Sequence, residues 1–194
     1  KSFVSASGIA AYKDSLTDIS SEDHGVNIPS SFINQVVNKW ESKVRDYEKI
    51  LPEVSFSILR VGLVLSNSGG LYKITKNLSK LFLLSPLGIG NQWQSWIHID
   101  DVSIIFLRSI ENDAKGIFNL VSPNPVIQED LLKKIALFNN SKVIFPNIPT
   151  FLVKAIFGEM SELVLSSQKV KSNRLNDYVF KFSEINDAIR DLSN

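Results

Sequence analysis

The densest run of chemistry-bearing side chains is Gly90 to Asp101, GNQWQSWIHIDD, which holds two tryptophans, a histidine and two aspartates. Indole and imidazole this close can line a pocket, and His98 can donate to a substrate or act as acid or base. Strand alternation puts Trp96 and His98 on one face, Ile97 and Ile99 on the other. The same residues also read as core tryptophans followed by Asp100 or Asp101 capping a helix, and both readings stand. Tyr72-Lys73-Ile74-Thr75-Lys76 is a literal Y-x-x-x-K. On a helix that spacing puts Tyr72 and Lys76 on one face, where a lysine lowers a tyrosine's pKa for proton transfer. Gly88-Ile89-Gly90 begins like a G-x-G-x-x-G turn, but Trp93 stands at the last place. Neither that turn nor a P-loop occurs, so Gly88 and Gly90 read as loop glycines.

Composition removes other chemistries. The chain has 194 residues, 44% hydrophobic and 21% charged, enough apolar content for a core. Lys plus Arg number 21 against 20 Asp plus Glu, a net +1 that argues against a nucleic-acid binder or a polybasic membrane module. With no cysteine there is no disulfide, thiol nucleophile or thiolate-held metal. Two histidines, His24 and His98, are too few for a histidine-rich metal site, and no metal is expected. No apolar run approaches the ~18 residues of a membrane helix. No signal peptide opens the chain, so the cytoplasm is the expected compartment. The sequons at Asn77 and Asn139 therefore read as chance.

The elements that must position these residues alternate. A strand is expected at Phe3–Ser7, then a polar loop over 13–28. Pro29 and Ser30 open a helix with Phe32, Val36, Val37, Trp40, Val44 and Tyr47 inward, closed by Pro52. Val54–Leu65 reads as one strand buried on both faces. A helix over Leu71–Leu84 should turn Leu71, Ile74, Leu78, Leu81 and Phe82 inward. Strand 92–99 precedes a helix lined by Val102, Ile105, Phe106 and Ile110. Strand 117–121, helix 128–138, strand 142–146, helix 149–157, helical residues 159–168, strand 178–182 and helix 183–192 complete the pattern. Such alternation predicts an α/β fold with a parallel sheet.

Several stretches together resemble one family. They are Ser5-Ala6-Ser7-Gly8, Phe32 to Trp40-Glu41, Leu59 to Leu65 with Gly69-Gly70, and Pro86 to Asp101. Phe118-Asn119-Leu120, Ser122 to Val126, Phe157 to Met160 and Leu165 to Val170 continue the likeness. The family is the extended short-chain dehydrogenase/reductase superfamily, in its branch of sugar-nucleotide epimerases with a carboxy-terminal extension.

The resemblance implies a partial Rossmann-like parallel sheet over 1–121 and a small α/β carboxy-terminal lobe over 122–194. It implies hydride transfer with NAD or NADP on a carbonyl or nucleotide-sugar-like small molecule. Ser7 and Tyr12 take the catalytic places. Ser5, Arg60, Gly62 and Val64 fall on the cofactor side, and Gln92, Trp93, Trp96 and His98 on the substrate side. Ser95, Asp100 and Asp101 read as structural.

Departures from the pattern matter too. The family's Gly-Tyr-Tyr-Gly is here Gly8-Ile9-Ala10-Ala11 with Tyr12 displaced, and Ile33 and Val37 stand where the Tyr–Lys pair belongs. The glycine-rich first half has no counterpart, so the stretch reads as the second half of such an enzyme, with little tight cofactor binding of its own. An open sheet edge would then invite a homodimer or higher self-association. The alternative function is a non-catalytic module of the same fold that binds a small molecule or a protein.

Overall fold

A computed structural model describes residues 1–24, 31–144 and 146–193. Pro29, Ser30 and the end of the expected 13–28 loop lie outside the described residues. In chain order the elements are β1 (Ser2–Gly8), a 3-10 turn at Ile9–Ala11, β2 (Ile19–Ser20), α1 (Phe32–Ile50), β3 (Ser55–Val61), β4 (Leu63–Leu65) and α2 (Gly70–Lys80). There follow β5 (Trp93–Gln94), β6 (Trp96–His98), α3 (Ile99–Glu111), β7 (Gly116–Leu120), β8 (Val126–Ile127) and α4 (Gln128–Phe138). Then come α5 (Thr150–Phe157), a 3-10 turn at Gly158–Ser161, α6 (Glu162–Leu165), β9 (Lys169–Val170) and α7 (Ile185–Ser193). No helix among the described residues is long and apolar enough to cross a membrane.

The fold is α/β, as the alternation predicts. The main sheet is parallel, in the order β1-β3-β7. Residues 55–60 of β3 are all buried, because helices cover both faces of the sheet. Phe56 and Ile58 pack against Val44 of α1, while Leu59 joins Ile105 of α3 and Leu120. A second parallel pair, β4 with β6, carries Leu65 and Trp96 into a core shared with α4 and α7. The β2–β9 pair ties Ile19 and Ser20 to Lys169 and Val170.

The expected single strand 54–65 is split at Gly62, where the chain passes under Ser95. A Cβ on Gly62 would lie 2.3 Å from the Ser95 carbonyl oxygen, a separation no side chain tolerates. Strand 92–99 is likewise split at Ser95, whose hydroxyl donates to Gln168 O and accepts from Val170 N–H, each at 2.8 Å.

Helix faces differ from the apolar pattern. In α1, Asn34, Val37, Glu41 and Val44 are buried, whereas Phe32, Val36, Trp40 and Tyr47 are exposed. In α2 the buried residues are Tyr72, Thr75 and Ser79, while Ile74, Leu81 and Phe82 are exposed. That helix stops at Lys80, and Phe82 takes a left-handed φ of 58°. Ile110 on α3 is exposed as well. Two expected strands are absent. Residues 142–144 and 146 form no ladder, Phe145 lying outside the described residues, and 178–182 run irregularly. The 159–168 stretch is helical only to Leu165.

Candidate functional site

Parallel pairing brings three polar residues into one row. Ser7 of β1 is in register with Arg60 of β3, and Arg60 with Asn119 of β7. The row lies near the carboxyl ends of these strands, the side on which open α/β sheets bind ligands. Alternation turns Arg60 toward α1, where Glu41 meets it. The carboxylate takes two hydrogen bonds from the guanidinium, Nε to Oε1 at 2.8 Å and NH2 to Oε2 at 2.7 Å. Both residues are 1% exposed. A pair so buried persists only with such bidentate geometry and further partners. Arg45 supplies one, donating to Glu41 Oε2 at 2.9 Å, and the Ser7 hydroxyl another, donating to Oε1 at 2.7 Å.

The Arg60 guanidinium also covers the Tyr12 ring, 4.8 Å from its centroid. Tyr12 is 3% exposed, and its hydroxyl donates to Asn119 Oδ1 at 2.9 Å. Burial pushes its phenol up, against a smaller downward pull from Arg60. It therefore stays protonated at neutral pH and acts as a fixed donor. Asn119 extends the network: its N–H donates to Glu22 Oε1 and its side-chain amide to Lys171 O. Sequence reasoning placed Glu41 and Asn119 only within the family pattern and missed Glu22. The available signal was spacing: Glu41 lies seven residues after Asn34, on the face of Val37 and Val44.

Ser7 alone among the catalytic candidates is partly accessible. The cofactor-side candidates are already engaged within the fold. The Ser5 hydroxyl donates to Ala6 O, Arg60 is held by Glu41, Gly62 lies under Ser95, and Val64 packs in the Leu59–Ile97 core. Next to Ser7, Gly8 presents no side chain. An added Cβ there would meet nothing nearer than 3.9 Å.

The substrate-side candidates separate. Trp96 is fully buried, its indole N–H donating to Asn124 O at 2.8 Å. Trp93 is half-buried, donates to Leu16 O and lies 3.9 Å below the Lys169 ammonium. Gln92 lines an open cleft of about 820 Å³ between the 86–92 loop, α5 and α6, with Asp14, Thr150, Lys154, Glu159 and Glu162 among its walls. The literal Tyr72–Lys76 pair lies elsewhere, Tyr72 in the α4–α7 core and Lys76 donating to Asn67 and Leu192 O.

His98 is 1% exposed and caps α3, its Nδ1 accepting from Asp100 N–H at 3.1 Å. The cap is thus His98 and not the aspartates. Its Nε2 lies 3.4 Å from Asp191 Oδ2 without a hydrogen bond, and Phe182 stacks 4.1 Å away. Burial holds the imidazole below its usual 6.5, outweighing the upward pulls of Asp100, Asp191 and Asp101 and joined by Lys181. An unfolded His98 therefore binds a proton before the folded one does. Its contribution to stability is complete above pH 6.5 and is lost as pH falls below it. His98→Asn, which retains a cap acceptor, is expected to flatten the fall in thermal midpoint below that pH. An unchanged slope would refute the assignment.

Residues 148–192 match the family described as Domain of unknown function (DUF1731). The chain is 31% identical over 192 residues to the epimerase family protein SDR39U1 homolog, chloroplastic, of Arabidopsis thaliana, covering 96% of this chain and 53% of that protein. It is 34% identical over 193 residues to epimerase family protein SH2119 of Staphylococcus haemolyticus, covering 96% and 62%. Human epimerase family protein SDR39U1 (isoform 2), solved with NADPH, superposes with a TM-score of 0.90 at 28% identity, over 100% of this chain and 65% of that one. The nucleoside-diphosphate sugar epimerase from Corynebacterium glutamicum gives 0.77 at 26% identity, over 99% and 37%. Homologues of the chain are epimerase family proteins, and its fold is that of Rossmann-type epimerases. The chain spans 53% and 62% of the two curated relatives.

Proposed function

We propose that this protein is itself a member of the epimerase family and carries out NAD(P)-linked chemistry, reversible hydride transfer at a hydroxyl- or carbonyl-bearing carbon of a small molecule. The observation that carries this reading is Ser7, a partly accessible hydroxyl near the carboxyl end of β1 beside a glycine whose added Cβ would make only ordinary contacts. The likeness to a human relative solved with NADPH supports it.

The groups around Ser7 divide the work. Ser7 donates its proton to Glu41. Its lone pairs are therefore left to accept a hydrogen bond from a substrate hydroxyl, whose proton passes to Ser7, and the serine's own proton to Glu41, as the carbon gives up its hydride. Arg60 and Arg45 fix the Glu41 carboxylate, so the serine is oriented before substrate arrives. Tyr12 and Asn119 hold the adjoining strand end in place. The nicotinamide would lie against Gly8, and when bound it supplies the hydride acceptor.

Gly8 has φ −131° and ψ 152°, which valine adopts without strain. Gly8→Val is therefore expected to keep the thermal midpoint while weakening NADPH binding about tenfold through the added bulk. Amide NMR on titration with NADPH should shift Ser7 and Gly8 first. Shifts that bypass both residues, or a valine variant binding NADPH as wild type does, would defeat the proposal.

A further inference from the structure

The cleft beside Gln92 is acidic. Asp14, Glu159 and Glu162 line it against Lys154 alone. Among the described residues, Lys154, Glu159 and Glu162 take part in no ion pair, so their charges face the cleft uncompensated. At the floor, Gln92 is 1% exposed and its amide is fixed, because Nε2 donates to Leu87 O at 2.8 Å and to Val164 O at 3.3 Å. Its Oε1 is left buried without a partner.

A buried acceptor of this kind is costly until a donor reaches it. The three carboxylates that line the cleft repel a phosphate, tolerate a neutral group and attract a positive one. We propose that the cleft binds a non-anionic small molecule rich in hydroxyl or amino groups, one of which donates to Gln92 Oε1, and that it disfavours a nucleoside diphosphate. The proposal rests on the enzymatic reading above and takes this cleft as that enzyme's substrate site, so that its substrates are sugars, polyols or amino sugars without a diphosphate.

The test is binding to the protein without nicotinamide, read by saturation-transfer NMR and calorimetry. The probes are methyl glucoside, glucosamine, UDP and UDP-glucose. Glucosamine and methyl glucoside are expected to bind, with UDP-glucose about tenfold weaker than either. Replacing Gln92 breaks two structural hydrogen bonds, so the decisive variant is Glu159→Lys with Glu162→Lys on the cleft wall. It should reverse the order, strengthening UDP and UDP-glucose about tenfold and weakening glucosamine. UDP-glucose binding wild type as tightly as methyl glucoside would overturn the proposal. So would an unchanged order in the double variant, or binding of no probe. Because NADPH is absent throughout, such a result beside intact NADPH binding would fault the substrate class and leave the enzymatic reading in place.

Discussion

Replacing Glu41 with leucine is expected to lower the unfolding free energy by about 3–5 kcal/mol, because it strands a buried guanidinium. Arg60 is 1% exposed and donates its two charge-assisted hydrogen bonds to Glu41. The loss should appear as a lower urea midpoint with little change in slope. The companion variant separates a broken pair from a damaged core. Arg60→Met together with Glu41→Leu removes both charges and leaves apolar side chains between α1 and β3. It should recover most of the loss, since buried ion pairs add little over well-packed apolar replacements. A Glu41→Leu protein within ~1 kcal/mol of wild type, the scale of an exposed pair, would show that the network is solvated. Function should part from stability in this pair. The double variant folds, yet Ser7 has lost the acceptor that turns its lone pairs outward.

The same pair explains why the face of α1 was misread. An apolar count picks Phe32, Val36, Val37, Trp40, Val44 and Tyr47, of which only Val37 and Val44 are buried, because a charged residue on a helix ordinarily marks the wet side. Here the buried stripe is Asn34, Val37, Glu41 and Val44, and its polar members are satisfied by Ala10 O and Arg60. Nothing local in the sequence announces that Arg60, centred in an apolar strand, lies opposite Glu41. The pairing exists only once α1 packs on β3. Gly62 shows the same limit from the other side. Its place in an apolar run hides a close crossing with Ser95, which is 33 positions away in the chain but in contact in space.

What the sequence carried well was order and type. The parallel β1-β3-β7 sheet and its covering helices follow from strand–helix alternation and from the branched run at 54–65. The tryptophan–histidine segment was legible as a special place, and its alternation holds, with Trp96 and Ile97 in different cores. The partners of these side chains were not legible. Trp96 is core because the C-terminal helices close over it. His98 is a buried cap for the same reason, since Phe182 and Asp191 come from the far end of the chain. Only Gln92, at the segment's start, reaches the cleft. The expected strand at 178–182 failed for a related cause: its backbone bonds to a side chain and not to a neighbouring strand.

That side chain is Asp101, and its removal is the second large effect expected. Asp101 is fully buried in the first turn of α3, where the helix dipole favours its charge. Oδ1 accepts from the Tyr178 hydroxyl at 3.0 Å and from Lys181 N–H at 2.8 Å, and Oδ2 accepts from Phe182 N–H at 3.1 Å. One carboxylate thus holds the irregular 178–182 segment against α3, and through Phe182 it supports the core around α7. Asp101→Ala orphans three donors at once and should destabilise the protein by about 3–5 kcal/mol. Hydrogen exchange should accelerate first at Lys181 and Phe182. Asp101→Asn tests the electrostatic half of the argument without removing the acceptor oxygen. Burial, and after it the Asp101 charge, pushes the Tyr178 phenol up to about 12. The asparagine variant removes the charge and keeps the burial. Tyr178 should therefore ionise at a lower pH than in wild type while remaining above its ordinary 10.0, as read by phenolate absorbance. Unchanged titration in Asp101→Asn, or an Asp101→Ala protein of near-native stability, would mean that the carboxylate does not bear on Tyr178 and that the segment is held by its apolar contacts alone.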